Sequence, residues 1–427
     1  MSDNKYKVIV AHPEKQHSFQ LAAGLKKGGM LYKYITSIYD RPQSITNKIK
    51  GFLPEKYRKK AGTRSTSELD DSDIVQIGEV NNLLITLLYN VFHLKKLCVT
   101  LRLKNADYFG IRTAKYAIRN NVDAVICYDT RAVKTFEYLK QKNPSILRIL
   151  DTTIITSPYM RYLYDEQIKQ RNVTQLKDES PKLWDDSYLA QIRREIELTD
   201  YFLAASEIVE KSLKFCGAKD EKIIRVPYGV DVSKYTPAIN QNTEGPLKLI
   251  LVGGGYRKGL DMLFDIVSKY TSDEVQLEIV GNYVSIKPLI DLYTNVKNIT
   301  YGGFLTPDEL LKRYQNANVF ILPSIGEGMA LVGLEAMACG LPLICSENTG
   351  VNDLITNYEN GIVIPVGDPS AIKNAIDYCI KNRAEVVRMG MCARKTAEHF
   401  TWLDYQKNVA SRLQELLDIK KAKGNES

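Results

Sequence analysis

Residues 319–350 read VFILPSIGEGMALVGLEAMACGLPLICSENTG. An apolar run at 319–323 predicts a strand, the following stretch with Gly326 and Gly328 predicts a turn, and a helix is expected from Gly333 onward. A second apolar run at 343–346 predicts the next strand. Alternation of this kind means a parallel sheet covered by helices, and ligands of such sheets lie beyond the carboxyl ends of the strands. The glycine turn at 324–330 is therefore the first place to look for chemistry.

Working outward, the same alternation repeats on both sides. Strands are expected at 247–252 and 275–280 with helices at 260–270 and 307–317, and the loops after Val252, Val280 and Pro323 face the same edge. Upstream, 7–11, 123–127, 147–150 and 201–204 read as strands, and 108–119 and 187–197 as helices. The polar stretch YTPAINQNTEGP at 235–246 separates the two series and predicts a linker. Two doubly wound α/β domains follow, at 1–237 and 238–400, with 401–427 as a C-terminal helix returning toward the first domain and ending in the polar tail KKAKGNES.

Glu327 and Glu335 bracket the turn and the predicted helix start. A helix beginning near 329–331 would aim unpaired backbone N–H groups and a positive dipole end at a phosphate. Two carboxylates so placed would accept hydroxyl hydrogen bonds from opposite ends of an elongated ligand, as a sugar and a ribose require. The plainer alternative is a helix-capping acid and a solvated helical residue.

Pro323, Ser324, Glu327, Gly328, Leu334, Glu335, Ala336, Met337, Ala338, Gly340 and Pro342 together form PSxxEGxxxxxLEAMAxGxP. This pattern resembles the donor-site signature of family 4 glycosyltransferases. LVGGGYRKGLDMLF at 251–264 is similar to the family's glycine turn followed by Lys-Gly, although the family often has Arg where this chain has Gly254. The closing segment of the N-terminal domain, with Pro227, Gly229, Val230 and Asp231, and NGIVIPVGDPSAI near the end also resemble the family. The likeness is good over 190–400 and only outline over 1–185.

The resemblance implies the GT-B fold, two Rossmann-like domains facing across a cleft, and transfer with retention of anomeric configuration. It implies a nucleoside-diphosphate sugar held by Gly254, Arg257, Lys258, Gly328, Met329, Ala330, Leu331 and Glu335, with Glu327, Arg257 and Lys258 acting on the sugar and leaving group. Two fixed cations would stabilise a leaving diphosphate without a metal. On the acceptor side His12, Asp129 and Asp151 follow predicted strands and would touch sugar or acceptor; a local hydrogen bond for His12, and a cap for either aspartate, are equally compatible. His17 flanks the same strand end. Tyr57, Tyr128, Tyr159, Tyr162 and Tyr164 would stack on sugars or pack in the core.

Composition narrows the remaining classes. Residues 1–237 hold 39 Lys and Arg against 28 Asp and Glu, while 238–427 hold 19 against 22. A basic first half fits an anionic partner or a general lysine bias. No RNP-type, helix-turn-helix or zinc-finger spacing supports nucleic acid. Seven scattered cysteines, none as CxxC, read as reduced thiols, and no HExxH pair points to a metal; neither metal nor cofactor is expected. With no long apolar run, a cytoplasmic protein peripheral to the inner membrane face is expected, its acceptor a glycan, a lipid-linked or a protein-linked group. KIKGFLPEKYRKKAGTR at 48–64 sets cations around Phe52, Leu53 and Tyr57 and is a candidate contact for an anionic membrane surface. Competing readings are a sugar-nucleotide epimerase or hydrolase on the same fold, and a non-enzymatic nucleic-acid or surface-binding protein.

Overall fold

The computed structural model describes residues 5–14, 17–51, 64–90, 94–239 and 244–425. Most of the basic stretch at 48–64, including Phe52, Leu53 and Tyr57, lies outside them. The N-terminal series is β1 (Val8–Ala11), α1 (Ser18–Lys27), β2 (Leu31–Thr36), α2 (Ile45–Lys50), β3 (Ile74–Gln76), α3 (Glu79–Asn90), α4 (Lys95–Arg119) and β4 (Ala124–Tyr128). It continues with α5 (Val133–Lys142), β5 (Leu147–Thr152), α6 (Ser157–Arg171), α7 (Gln175–Glu179), α8 (Asp186–Leu198), β6 (Tyr201–Ala204), α9 (Glu207–Phe215) and β7 (Ile223–Arg225). Among the described residues these seven strands form one parallel sheet in the order β3-β2-β1-β4-β5-β6-β7. Its central strands β1 and β4 are buried along their whole length, as their uninterrupted apolar sequences require of a sheet covered on both faces.

The second series is β8 (Leu247–Val252), α10 (Leu260–Val267), β9 (Val275–Val280), α11 (Lys287–Leu292), β10 (Ile299–Gly303), α12 (Pro307–Asn316), β11 (Val319–Leu322) and α13 (Leu331–Ala338). β12 (Leu343–Ser346), β13 (Gly361–Ile364), α14 (Pro369–Lys381), α15 (Arg383–Glu398) and α16 (Trp402–Asn425) complete it. Its strands pair in parallel as β10-β9-β8-β11-β12-β13. Two helices depart from expectation. α4 extends well upstream of 108, and α10 ends at Val267, where Lys269 and Tyr270 donate to the Ile266 and Val267 carbonyls and tighten the last turn.

Two features join the domains. The α6–α7 excursion leaves the first sheet after β5, yet Tyr164, Val173, Leu176 and Leu183 are buried in the same core as Leu249, Leu263 and Leu277 of the second domain. α16 runs the other way and packs on α1, where Gly24 admits the backbone of Gln406. Among the described residues no helix is long and apolar enough to cross a membrane.

Candidate active site

β11 delivers the glycine turn to the carboxyl edge of the second sheet, and β8 delivers the loop 253–259 beside it, since the two strands are neighbours. There Glu327 binds both cations. Its Oε2 lies 2.6 Å from Arg257 Nη1 and its Oε1 2.9 Å from Lys258 Nζ, with the Ser324 hydroxyl donating to Oε1 at 3.2 Å. Burial alone would raise the Glu327 carboxyl, but Lys258 and Arg257 outweigh it and hold the group at about 2. Burial pushes Lys258 below its ordinary value, opposed by the Glu327 charge. The Arg257 guanidinium also donates to the Gly326 carbonyl at 2.7 Å, which ties the two loops together.

The glycines of 253–255 have separate reasons. A Cβ at Gly253, whose φ is +107°, would collide with the Lys258 stem. At Gly254 it would meet the Asn282 carbonyl, so this chain has no room for the arginine that the family often carries there. Gly255 faces the Glu179 carboxylate at the end of α7, which accepts the Arg257 N–H at 3.2 Å.

Glu335 stands in the second turn of α13, where Tyr314 of α12 donates to its Oε2 at 3.1 Å and burial raises its carboxyl. It is half-buried, neither a cap nor freely solvated. The backbone groups proposed for the phosphate are divided in use: the Ala330 N–H is bonded to the Thr349 carbonyl at 3.1 Å, while the first-turn N–H groups of Leu331 and Val332 have no intrahelical acceptor. The Ala330 N–H thus braces the loop against Thr349. Gly328 packs directly on the first domain. A Cβ there would overlap the Thr153 carbonyl, and its own carbonyl accepts from the Ser206 hydroxyl. Met329 Sδ accepts the Tyr228 N–H at 3.2 Å, Asp353 the Glu207 N–H at 2.7 Å, and Arg171 pairs with Asp261 at 2.8 Å across the same crevice.

On the facing edge, His12 at the end of β1 is buried, and burial lowers its imidazole to about 4, so it is neutral near pH 7. Its Nδ1 lies 2.6 Å from the Glu14 carbonyl oxygen and 2.9 Å from the Glu14 nitrogen, and its ring meets Tyr128 edge-on. Asp151 is 2% exposed and lies 3.2 Å from His17 Nε2; His17 in turn lies against Tyr228, with ring centroids 4.1 Å apart. Asp129 accepts the Thr153 hydroxyl at 2.9 Å. Neither aspartate caps the helix after it. That role falls to Glu195 of α8, which accepts the Thr130 N–H at 2.8 Å and the Ala132 N–H at 2.7 Å at the start of α5. Tyr128, Tyr159 and Tyr164 are buried, and Tyr162 is exposed and stacked on Tyr159; Tyr57 lies outside the described residues.

Glu179, Glu195 and Tyr228 do not stand out as site residues in the sequence, because each meets its partner only through the fold. Glu179 and Arg257, for example, are 78 positions apart. Strand-end position is the local signal, and it marks His17 but none of these three.

Two parallel-sheet domains facing across a crevice define the GT-B fold, and solved structures share it. Sucrose-phosphate synthase from Thermosynechococcus elongatus superposes with TM-score 0.67 at 17% identity over 97% of this chain and 100% of that one. Anabaena HepE, solved in complex with UDP-glucose, gives 0.63 at 13% identity over 96% and 100%. Residues 234–396 match the family described as "Glycosyl transferases group 1". The Escherichia coli UDP-Gal:alpha-D-GlcNAc-diphosphoundecaprenol alpha-1,3-galactosyltransferase is 27% identical over 46% of this chain and 54% of its own. The matches span about half the length of the curated relatives.

Proposed function

We propose that the chain transfers a glycosyl group, with retention of configuration, from a nucleoside-diphosphate sugar on the second domain to an acceptor presented by the first. The observation that carries this is the trio Arg257, Lys258 and Glu327, with net charge +1, set beside the start of α13. As the bond from the sugar's anomeric carbon to the diphosphate breaks, negative charge grows on the leaving oxygen. Arg257 and Lys258 stabilise that charge from fixed positions, in the manner that makes a protein-held metal unnecessary. Glu327 holds the two cations apart and aligned before the donor arrives and is free to orient sugar hydroxyls once the diphosphate takes its place. Glu335 accepts from the ribose, and neutral His12 is placed to donate to or accept from the sugar without adding charge.

Acceptors of the class named for the E. coli relative, a sugar on a lipid diphosphate, fit the basic first domain, as would other glycan or protein-linked acceptors of cell-surface polysaccharide synthesis. The enzyme would then work on the cytoplasmic face of the membrane as a peripheral protein. The test is titration with UDP-, GDP- and dTDP-sugars, followed by nucleoside-diphosphate release with and without acceptor extract, in excess EDTA. Release that depends on extract and survives EDTA is expected, and it should vanish in Arg257→Ala/Lys258→Ala. Equal release without acceptor would make the protein a hydrolase, and a strict Mn²⁺ or Mg²⁺ requirement would overturn the two-cation model.

A further inference from the structure

The first domain carries an apolar surface that the transfer reaction does not use. On α3, Val80, Leu84 and Leu87 recur at helical spacing along one stripe and are 59%, 52% and 48% exposed. On the adjoining chain Leu94, Leu97 and Leu103 are 45%, 50% and 59% exposed, and α4 packs against α3. From 80 to 94 the sequence holds no fixed charge. Exposed apolar area of this extent on a soluble protein marks an interaction surface.

The charges around it indicate what covers it. α4 holds seven cations and one acid, Asp107, and both Arg102 and Lys104 are exposed next to Leu103. Arg102 lies over the Tyr89 ring at 4.6 Å, which sets a cation within the apolar face itself. Two copies of the chain meeting here would oppose these like charges. An apolar phase rimmed with anions complements both features, and that is the interface of an anionic bilayer.

We propose that the α3–α4 face docks on an anionic lipid leaflet. The placement suits the reaction. α3 begins at Glu79, just past the carboxyl end of β3, where Glu79 accepts the Thr46 N–H at 2.8 Å; this is the edge of the sheet on which His12 stands. A lipid-borne acceptor lying in the leaflet would then reach the cleft without leaving the membrane. The usefulness of this docking rests on the acceptor reading above, whereas the docking itself does not.

The test is flotation of the full chain with vesicles of phosphatidylcholine alone or mixed with phosphatidylglycerol. The wild-type protein should float with the mixed vesicles, be released as salt rises, and ignore the neutral ones. Leu84→Asn/Leu87→Asn/Leu97→Asn should lower partitioning by about tenfold or more. In Leu87→Trp, which does not remove apolar area, the introduced indole should be quenched by bromine-labelled lipid beyond the quenching of the two native tryptophans. Wild-type protein that stays in solution, undiminished flotation of the triple variant, or an unquenched indole in floated protein would each overturn the assignment. So would a dimer in light scattering that the triple variant turns to monomer, since that would give the face to a second copy. Nucleoside-diphosphate binding by the triple variant reads the donor site separately: its loss would count against the donor assignment, and loss of flotation alone counts only on this surface.

Discussion

Glu327 and Glu335 are the same residue type in one motif, and their surroundings give them opposite chemistry. Glu327 is ionised at any physiological pH because two cations hold it at about 2, whereas Glu335 is raised by burial beside Tyr314. Glu327→Gln removes the charge that opposes burial of Lys258, so Lys258 should lose its proton at lower pH than in the wild type. The expected outcome is depressed turnover with nucleoside-diphosphate affinity kept or tightened at neutral pH, and an earlier alkaline loss of that affinity. Glu335→Gln should instead weaken nucleoside-diphosphate binding by about 1.5 to 3 kcal/mol, the worth of a charged acceptor. Calorimetry on both variants across pH decides; equal affinity losses would refute this division. The spacing of the two acids is legible in the sequence, but their protonation is not, since it depends on Lys258 and Tyr314 arriving from other elements.

At the scale of elements, the strands that could be read in advance are those with unbroken apolar runs, β8 with LKLILV or β11 with VFIL. β2, β3, β7 and β10 are not legible as strands in the sequence. β3, β7 and β10 are edge strands and only partly buried, so their sequences have no reason to stay apolar, while β2 is interior but its run LYKYIT is broken by Lys33 and half-buried there. α5 has a similar hidden dependence, because Ala132 at its N-terminus supplies no side-chain cap and Glu195 of α8 does so from a distance. Burial pushes Glu195 from 4.5 up to about 8. An acid raised on folding contributes stability that is fully present below its unfolded value and is lost as pH rises through its folded one. Wild-type stability should accordingly fall between pH about 4.5 and about 8 by an amount on the order of a few kcal/mol from this group. Glu195→Gln should flatten that slope in denaturant melts taken at both ends of the window; an unchanged slope would mean that Glu195 is ionised in the folded protein.

The molecule as a whole is held in one piece by contacts around the crevice, and Gly328 sits at their centre, bare against the Thr153 carbonyl and bonded to Ser206. Gly328→Ala cannot be accommodated without moving backbone on one side or the other, a strain of about 1 to 3 kcal/mol. Its effect should fall on the approach of the domains: transfer reduced by about tenfold or more, nucleoside-diphosphate binding little changed, and a larger radius of gyration in solution scattering. A wild-type scattering profile combined with full activity would show that the contact is dispensable. The α6–α7 excursion and α16 contribute to the same closure by burying parts of one domain's chain against the other.

Local sequence determined the second domain and the place of its glycine turn, because a strand, a glycine turn and a helix start are contiguous within one motif. Only the tertiary structure decided that Glu327 pairs with both Arg257 and Lys258, that Ala330 braces a loop, and that Asp151 answers to His17 across 134 positions. It also decided that Tyr164, Val173, Leu176 and Leu183 join the second core, and that the exposed leucines of α3 lie beside the cations of α4. These are properties of pairs brought together by folding, and the energy of a buried charge or an uncovered apolar face depends on what stands opposite it.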